Sequence, residues 1–200
     1  MINFITSNAK KAADFKIFGF GVKEFPIEIP EIKDENVETV ALHKARDTNL
    51  DGIVVEDTAL YVEGSHFLGT DIKHVYEEIS NNKTYEGHKA VWKICLCMKK
   101  NGNYYLSTSE LEGILKYPKT EEGYHFEKIL AVKLNNEYFH YSQLSIKKQQ
   151  QLSPRFKSLN KLEFALKNND FKSLTHFKEE EILNWQGEYQ VENQYTKPKI

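Results

Sequence analysis

INFITSNAKKAADFKIFGFG, residues 2–21, is the stretch that decides the fold. Ile2 to Thr6 is short, apolar and β-branched, which predicts a strand. Ser7 or Asn8 can cap a helix starting directly after it, and Gly19 or Gly21 can end that helix. A strand led through a polar turn into a helix opens an α/β unit. The next segments continue in kind. KEFPIEIPEI (23–32) alternates but is interrupted by Pro26 and Pro30, which predicts an edge strand and a turn, because proline cannot donate to a ladder. NVETVALHKARDTN (36–49) places Val37, Val40, Ala41 and Ala45 at helical spacing. GIVVEDTALYV (52–62) reads as a strand running into an acidic bend, and after Gly69 a short helix is expected over Ile72 to Ile79.

Strands then cluster. HKAVWKICLCMKK (88–100) reads as a buried strand ending at the Asn101-Gly102-Asn103 turn, with NYYLSTSELEGILKYP (103–118) opposing it. EKILAVKLNNEYFHY (127–141) continues the β character. SPRFKSLNKLEFALKNN (153–169) is a helix whose apolar face is Phe156, Leu159, Leu162, Phe164 and Leu166. SLTHFKEEEILNW (173–185) looks helical, with Thr175 as a cap, and GEYQVENQYTKPKI (187–200) reads as a loosely held polar tail. Early alternation followed by clustered strands predicts an α/β fold on a mixed sheet.

Composition narrows the class. Two hundred residues suffice for one ample core, and 12% aromatic content excludes disorder for most of the chain. A net charge of -2 gives no footprint for a long nucleic acid. No apolar run approaches the ~20 residues of a membrane span, and MINFITSNAKK does not read as a signal peptide. Cys95 and Cys97 would share one face of a strand, too close for good disulfide geometry, and fit two small apolar residues on a buried face. A soluble protein of the reducing cytoplasm is expected.

Chemistry concentrates in a few places. In TSNAKK a helix begins directly after a strand, so free N–H groups and the positive dipole end suit an anion. Thr6, Ser7 and Asn8 add short donors there; Lys10 and Lys11 add charge. Triphosphates bind at such places, although an ordinary cap with solvated lysines has the same sequence. In VVEDTAL the adjacent carboxylates Glu56 and Asp57 would face opposite sides of a regular strand, but a bend at its end would turn both to one cleft, where they suit Mg²⁺. Lys44, Lys73 and Arg155 each flank or begin a helix; singly, each reads as a solvated charge. In GYHFEK, Tyr124 or Phe126 beside Glu127 could stack on a base and bond its edge, or belong to the core.

The order of these pieces resembles the inosine/xanthosine triphosphate pyrophosphatase family over roughly residues 1 to 166. That family opens with a strand and a T/S-x-N-x-x-K turn, matched by Thr6-Ser7-Asn8-Ala9-Lys10-Lys11. Its acidic motif D/E-D-S/T is matched by Glu56-Asp57-Thr58, its phosphate-contacting K-A pair by Lys44-Ala45, and its acidic position after a proline by Glu31. Its base loop G-F-G-W/Y-D-P becomes Gly123-Tyr124-His125-Phe126-Glu127-Lys128, losing the second glycine and the proline. Of its later Y-A-E-L-S, E-E-K-N and S-H-R stretches, the Glu, Lys and His become Gln143, Gln149 and Pro154, while Arg155 remains.

The resemblance implies an elongated, twisted mixed sheet flanked by helices, in two lobes around a central nucleotide cleft. That domain would span residues 1–170, followed by a C-terminal helix and polar tail over 171–200. It implies a homodimeric house-cleaning enzyme that uses Mg²⁺ to hydrolyse a non-canonical nucleoside triphosphate to the monophosphate and pyrophosphate. Lys11, Lys44 and Lys73 would clamp the phosphates, with Thr6, Ser7, Asn8, Lys10 and Thr58 as further substrate contacts. Glu31, Glu56 and Asp57 would hold the metal, and Asp57 would orient or deprotonate the water. Phe126, beside Tyr124, would stack on the base, with Glu127 and Arg155 addressing its edge or a nearby phosphate. A base preference shifted away from inosine is expected from Gln143, Gln149, Pro154 and Glu127. A nucleotide-binding sensor with weak or no turnover is the alternative.

Overall fold

The computed structural model describes residues 2–190 except Ser7 and Glu28. Strand β1 (Ile2–Ile5) leads into helix α1 (Ala9–Ile17), capped by Asn8, whose side chain accepts from the Lys10 amide. Gly19, at φ 86, turns the chain out of the helix. β2 (Val22–Phe25) lies parallel to β1 at the sheet edge, the place Pro26 requires. Helix α2 (Val37–Thr48), capped by Asn36, returns the chain to β3 (Ile53–Val62), parallel to β1 on its other side. Helix α3 (Ile72–Ile79) follows. β4 (Lys89–Lys100) and β5 (Asn103–Leu115) then form a long antiparallel hairpin. Asn101 and Gly102 sit at φ 52 and 71, the positive values a tight two-residue hairpin turn needs. β6 (Leu130–Leu134) and β7 (Glu137–His140) complete the far edge. Helices α4 (Ile146–Leu152) and α5 (Pro154–Asn168) precede a last strand, β8 (Thr175–Lys178), which pairs with β5. The sheet runs β2-β1-β3-β4-β5-β6-β7. It is the expected mixed sheet with helices against it.

Each face of the sheet carries its own core. On one face Phe4, Leu60, Ile94 and Leu96 pack with Phe15 of α1 and Leu159 and Leu162 of α5. On the other, Ile5, Val55, Ala59, Cys95 and Cys97 pack with Ala41 and Ala45 of α2. The two cysteines are free and share a buried face, where burial pushes both thiols well up. Among the described residues no helix is long and apolar enough to cross a membrane.

Three expectations are corrected. Residues 173–185 are not a helix: Thr175–Lys178 form β8, and Glu179–Glu181 a single 3₁₀ turn. The open edge of β5 at Asn103–Leu106 offers a ladder that outweighs local helix preference. Phe164, assigned to the apolar face of the helix over 153–169, is 62% exposed; α5 instead buries Arg155, Ser158, Leu159, Leu162 and Ala165, the i, i+3, i+4 stripe. The tail is not loose where it begins, because residues 188–190 bond to residues 31–33. Residues 191–200 lie outside the described residues.

Candidate active site

The acidic bend expected at Glu56-Asp57 does not exist. β3 runs straight through, with Glu56 opposite Leu96 and Asp57 opposite Cys95 in an unbroken ladder to β4. The two carboxylates therefore point to opposite faces of the sheet. What opens the site is the neighbour: β1 ends at Ile5, opposite Val55, while β3 continues to Val62. Beyond Ile5 one edge of β3 is uncovered by β1. Lys11 of α1 and Lys44 of α2 both reach that spot, each with its Nζ 3.5 Å from the Glu56 carbonyl oxygen. This is the carboxyl end of a parallel strand, where open α/β sheets place ligands.

On the α1 and α5 face, Glu56 is fully committed. Arg155 grips it with two hydrogen bonds, Nε to Oε2 and a terminal nitrogen to Oε1, both 2.9 Å. The Thr58 hydroxyl donates to it at 3.0 Å, and Lys11 Nζ lies 3.5 Å from Oε1. Burial would raise the Glu56 carboxyl, but Arg155 and Lys11 outweigh it and hold it at about 2. Arg155 is itself buried and also donates to Asp14 of α1. It acts as a brace between α5, β3 and α1.

On the α2 face, Lys44 lies between Glu31 and Asp57. It donates to Glu31 Oε1 and, at 3.3 Å, to Asp57 Oδ2. Burial disfavours its charge, yet the two carboxylates more than compensate and raise the ammonium's pKa. Asp57 goes up from the usual aspartate value, because burial and the Glu31 charge outweigh Lys44, while Glu31 is held down mainly by Lys44 against its own burial. Glu31 and Asp57 line the cleft and Glu56 does not. The donors that fit Mg²⁺ are thus Glu31 and Asp57, hard oxygens from two segments, which leave coordination places for water and phosphate. Among the described residues no three His, Cys, Asp or Glu side chains cluster as a metal cage.

The structure brings most of the remaining candidates to the same cleft. Asn8, Lys10, Lys11, Thr58, Lys73 and Arg155 line it. Thr6 is a turn residue, its hydroxyl accepting from the Asn8 amide at 3.0 Å. Ser7 lies outside the described residues. The opposite wall is the 124–127 loop. There Phe126 is buried edge-on against Trp92, so its ring belongs to the core even though it borders the cleft. Tyr124 is the exposed ring, stacked on His125 with 3.9 Å between centroids and approached by Lys10 at 5.4 Å. His125 also stacks on Tyr76, and burial lowers its pKa. It stands where the resembled motif has a second glycine and keeps a positive φ of 46, so the backbone path survives the substitution at some strain. Glu127 accepts from the Tyr124 amide at 2.9 Å, and burial raises its carboxyl. Gln143, Gln149 and Pro154 do not line the cleft: the Gln149 amide donates to the Ser142 and Leu144 carbonyls, and Pro154 starts α5. Sequence reasoning missed His125, Trp92, Thr70, Asp71, Ile72 and Gln190 as cleft residues. Only His125 had a visible signal, its place between Tyr124 and Phe126.

A mixed sheet in which β1 stops beside a cleft lined by lysines and carboxylates, with an aromatic loop opposite, is an α/β arrangement whose charge suits a compact polyanion. A family comparison makes this specific. The model of the Ham1 family matches residues 2–165, and the chain belongs to that family. Ham1 proteins are nucleoside triphosphate pyrophosphatases that act on non-canonical purine nucleotides. The fold is similar to that of a HAM1 protein from Coxiella burnetii, with a TM-score of 0.58 and 16% identity, covering 84% of this chain and 100% of that one. No curated protein matches the chain.

Proposed function

We propose that this protein is a Mg²⁺-dependent nucleoside triphosphate pyrophosphatase that cleaves the α–β anhydride. One water is consumed, and nucleoside monophosphate and pyrophosphate are released. The observation that carries this is the meeting of Lys11 and Lys44, from two helices, with Glu31 and Asp57 where β1 stops. A triphosphate needs its charge neutralised before water can attack. Lys11 and the exposed Lys73 on α3 line the cleft, Lys44 adds its charge between Glu31 and Asp57, and the start of α1 turns the positive end of its dipole toward the site. Glu31 and Asp57 would hold Mg²⁺, which when bound neutralises phosphate oxygens and lowers the pKa of a coordinated water. Asp57, raised above the usual aspartate value, is the group that orients or deprotonates the attacking water. Glu56, bound to Arg155, sets the position of Lys11 and takes no direct part.

Tyr124 on His125 provides the stacking surface for the base, and Glu127 the nearby acceptor. Because Gln143, Gln149 and Pro154 lie away from the cleft, base preference rests on the 124–127 loop. The test is pyrophosphate release from inosine, xanthosine, guanosine, adenosine, cytidine and uridine triphosphates, with and without Mg²⁺. Metal-dependent pyrophosphate and monophosphate from at least one is expected. Orthophosphate as the product, or no turnover on any, would refute the assignment. The homodimer implied by the resemblance is testable by light scattering.

A further inference from the structure

Glu31 sits in a loop whose neighbours Ile29 and Ile32 pack inward but whose backbone makes few hydrogen bonds of its own. Pro26 and Pro30 interrupt the segment, and residues 29–33 belong to no strand or helix, apart from the single bridge of Ile32. Among the described residues, the backbone hydrogen bonds of 29–33 go to one partner only. The Lys33 amide donates to the Glu188 carbonyl at 2.8 Å, and the Gln190 amide donates to the Glu31 carbonyl at 2.7 Å. Ile32 and Tyr189 form an antiparallel bridge between them. Glu31 is thus bracketed by residues 188–190.

That bracket is anchored independently. The Arg46 guanidinium of α2 donates to the Leu183 carbonyl at 2.9 Å. The Trp185 ring meets His43 of α2 edge-on, and its Nε1 donates to the Glu188 carbonyl at 2.9 Å. Gly187 lies so close beneath the indole that an added Cβ would stand 2.6 Å from it. Residues 183–190 are therefore pinned to α2, the helix that carries Lys44, before reaching the loop that carries Glu31. Gln190 then arrives at the cleft. This segment lies beyond residue 165, where the family match ends.

We propose that residues 183–190 are a strap that positions Glu31 opposite Lys44 and Asp57, completing the site with a piece of chain outside the family's matched region. The proposal rests on the pyrophosphatase assignment for the role of Glu31, not for the existence of the strap. A loop with only local bonds explores many conformations, and fixing each residue costs ~1–2 kcal/mol. The strap holds the loop in place before the substrate binds.

Full-length Gln190→Pro removes the one amide that bonds the Glu31 carbonyl, and Gly187→Val drives a side chain into Trp185. In both, amide hydrogen exchange over residues 29–33 should quicken at least ~10-fold, while exchange in β3 and β4 stays unchanged. The Mg²⁺ concentration giving half-maximal pyrophosphate release should rise at least ~5-fold, and excess Mg²⁺ should restore the rate. A merely structural strap would not give metal rescue. Unchanged exchange, or faster exchange with an unchanged Mg²⁺ requirement, would overturn the proposal. Should the wild type cleave no triphosphate, the pyrophosphatase assignment falls. The strap is then decided by calorimetric Mn²⁺ binding: weaker in Gln190→Pro supports it, equal affinity refutes it.

Discussion

Replacing Arg155 by methionine separates two roles for this residue, substrate contact and internal brace. The structure favours the brace: the guanidinium is buried, binds Glu56 twice at 2.9 Å, and also reaches Asp14. A carboxyl that titrates at 4.5 in the open chain and at about 2 in the fold stabilises the protein by about 3 kcal/mol at neutral pH. Breaking a buried pair by removing one partner costs about 3–5 kcal/mol, because the other charge stays buried alone. For a chain of this size ~2–4 °C of Tm follows each kcal/mol, so Arg155→Met should melt roughly 6–20 °C lower. The sign of the pH dependence follows from the depressed carboxyl. Its contribution is present above 4.5 and is lost as pH falls toward about 2. The gap in urea midpoint between wild type and Arg155→Met should therefore be widest at pH 7 and much narrower near about pH 3. Adding Glu56→Gln to Arg155→Met should recover more than half the loss, since it removes the orphaned charge. A gap equal at both pH values, or a double variant no more stable than the single one, would refute the brace.

Asp57→Asn should lower pyrophosphate release at least ~100-fold with the thermal midpoint little changed, as checked by kcat at saturating Mg²⁺. In the metal-free wild type the Asp57 carboxyl should titrate above an ordinary aspartate, read by NMR, because burial and the Glu31 charge raise it. Lys44→Ala removes the main lowering influence, so this titration should move to higher pH; an unmoved titration would assign it to another group. Tyr124→Ala should raise KM for every triphosphate by roughly 5–150-fold, the worth of a stacked base. Phe126→Ala should instead cost about 3–5 kcal/mol of stability, read as a lower urea midpoint, since its ring packs on Trp92.

Much of the fold was legible in the chain. The caps Asn8 and Asn36, the Asn101-Gly102 turn and the apolar spacing of Val37, Val40, Ala41 and Ala45 are local signals, set by a few neighbouring residues. Local physics placed β1, α1, α2, α3 and the β4–β5 hairpin to within about three residues. The ordered motifs also brought Lys11, Lys44, Glu31 and Asp57 onto the list of site residues. The sequence could not say how these side chains meet. Whether Glu56 and Asp57 share a cleft depends on where β1 stops relative to β3, a register between strands some fifty residues apart. Which ring of the 124–127 loop is exposed depends on Trp92, contributed by a distant strand. Residues 173–185 carry a helical composition, yet the free edge of β5 makes part of them a strand. The polar residues 188–190 look like a tail until the loop at Glu31 supplies partners for their backbone groups. In each case the deciding partner is remote in sequence, and hydrogen-bond and packing energies between remote segments exist only once the sheet has formed.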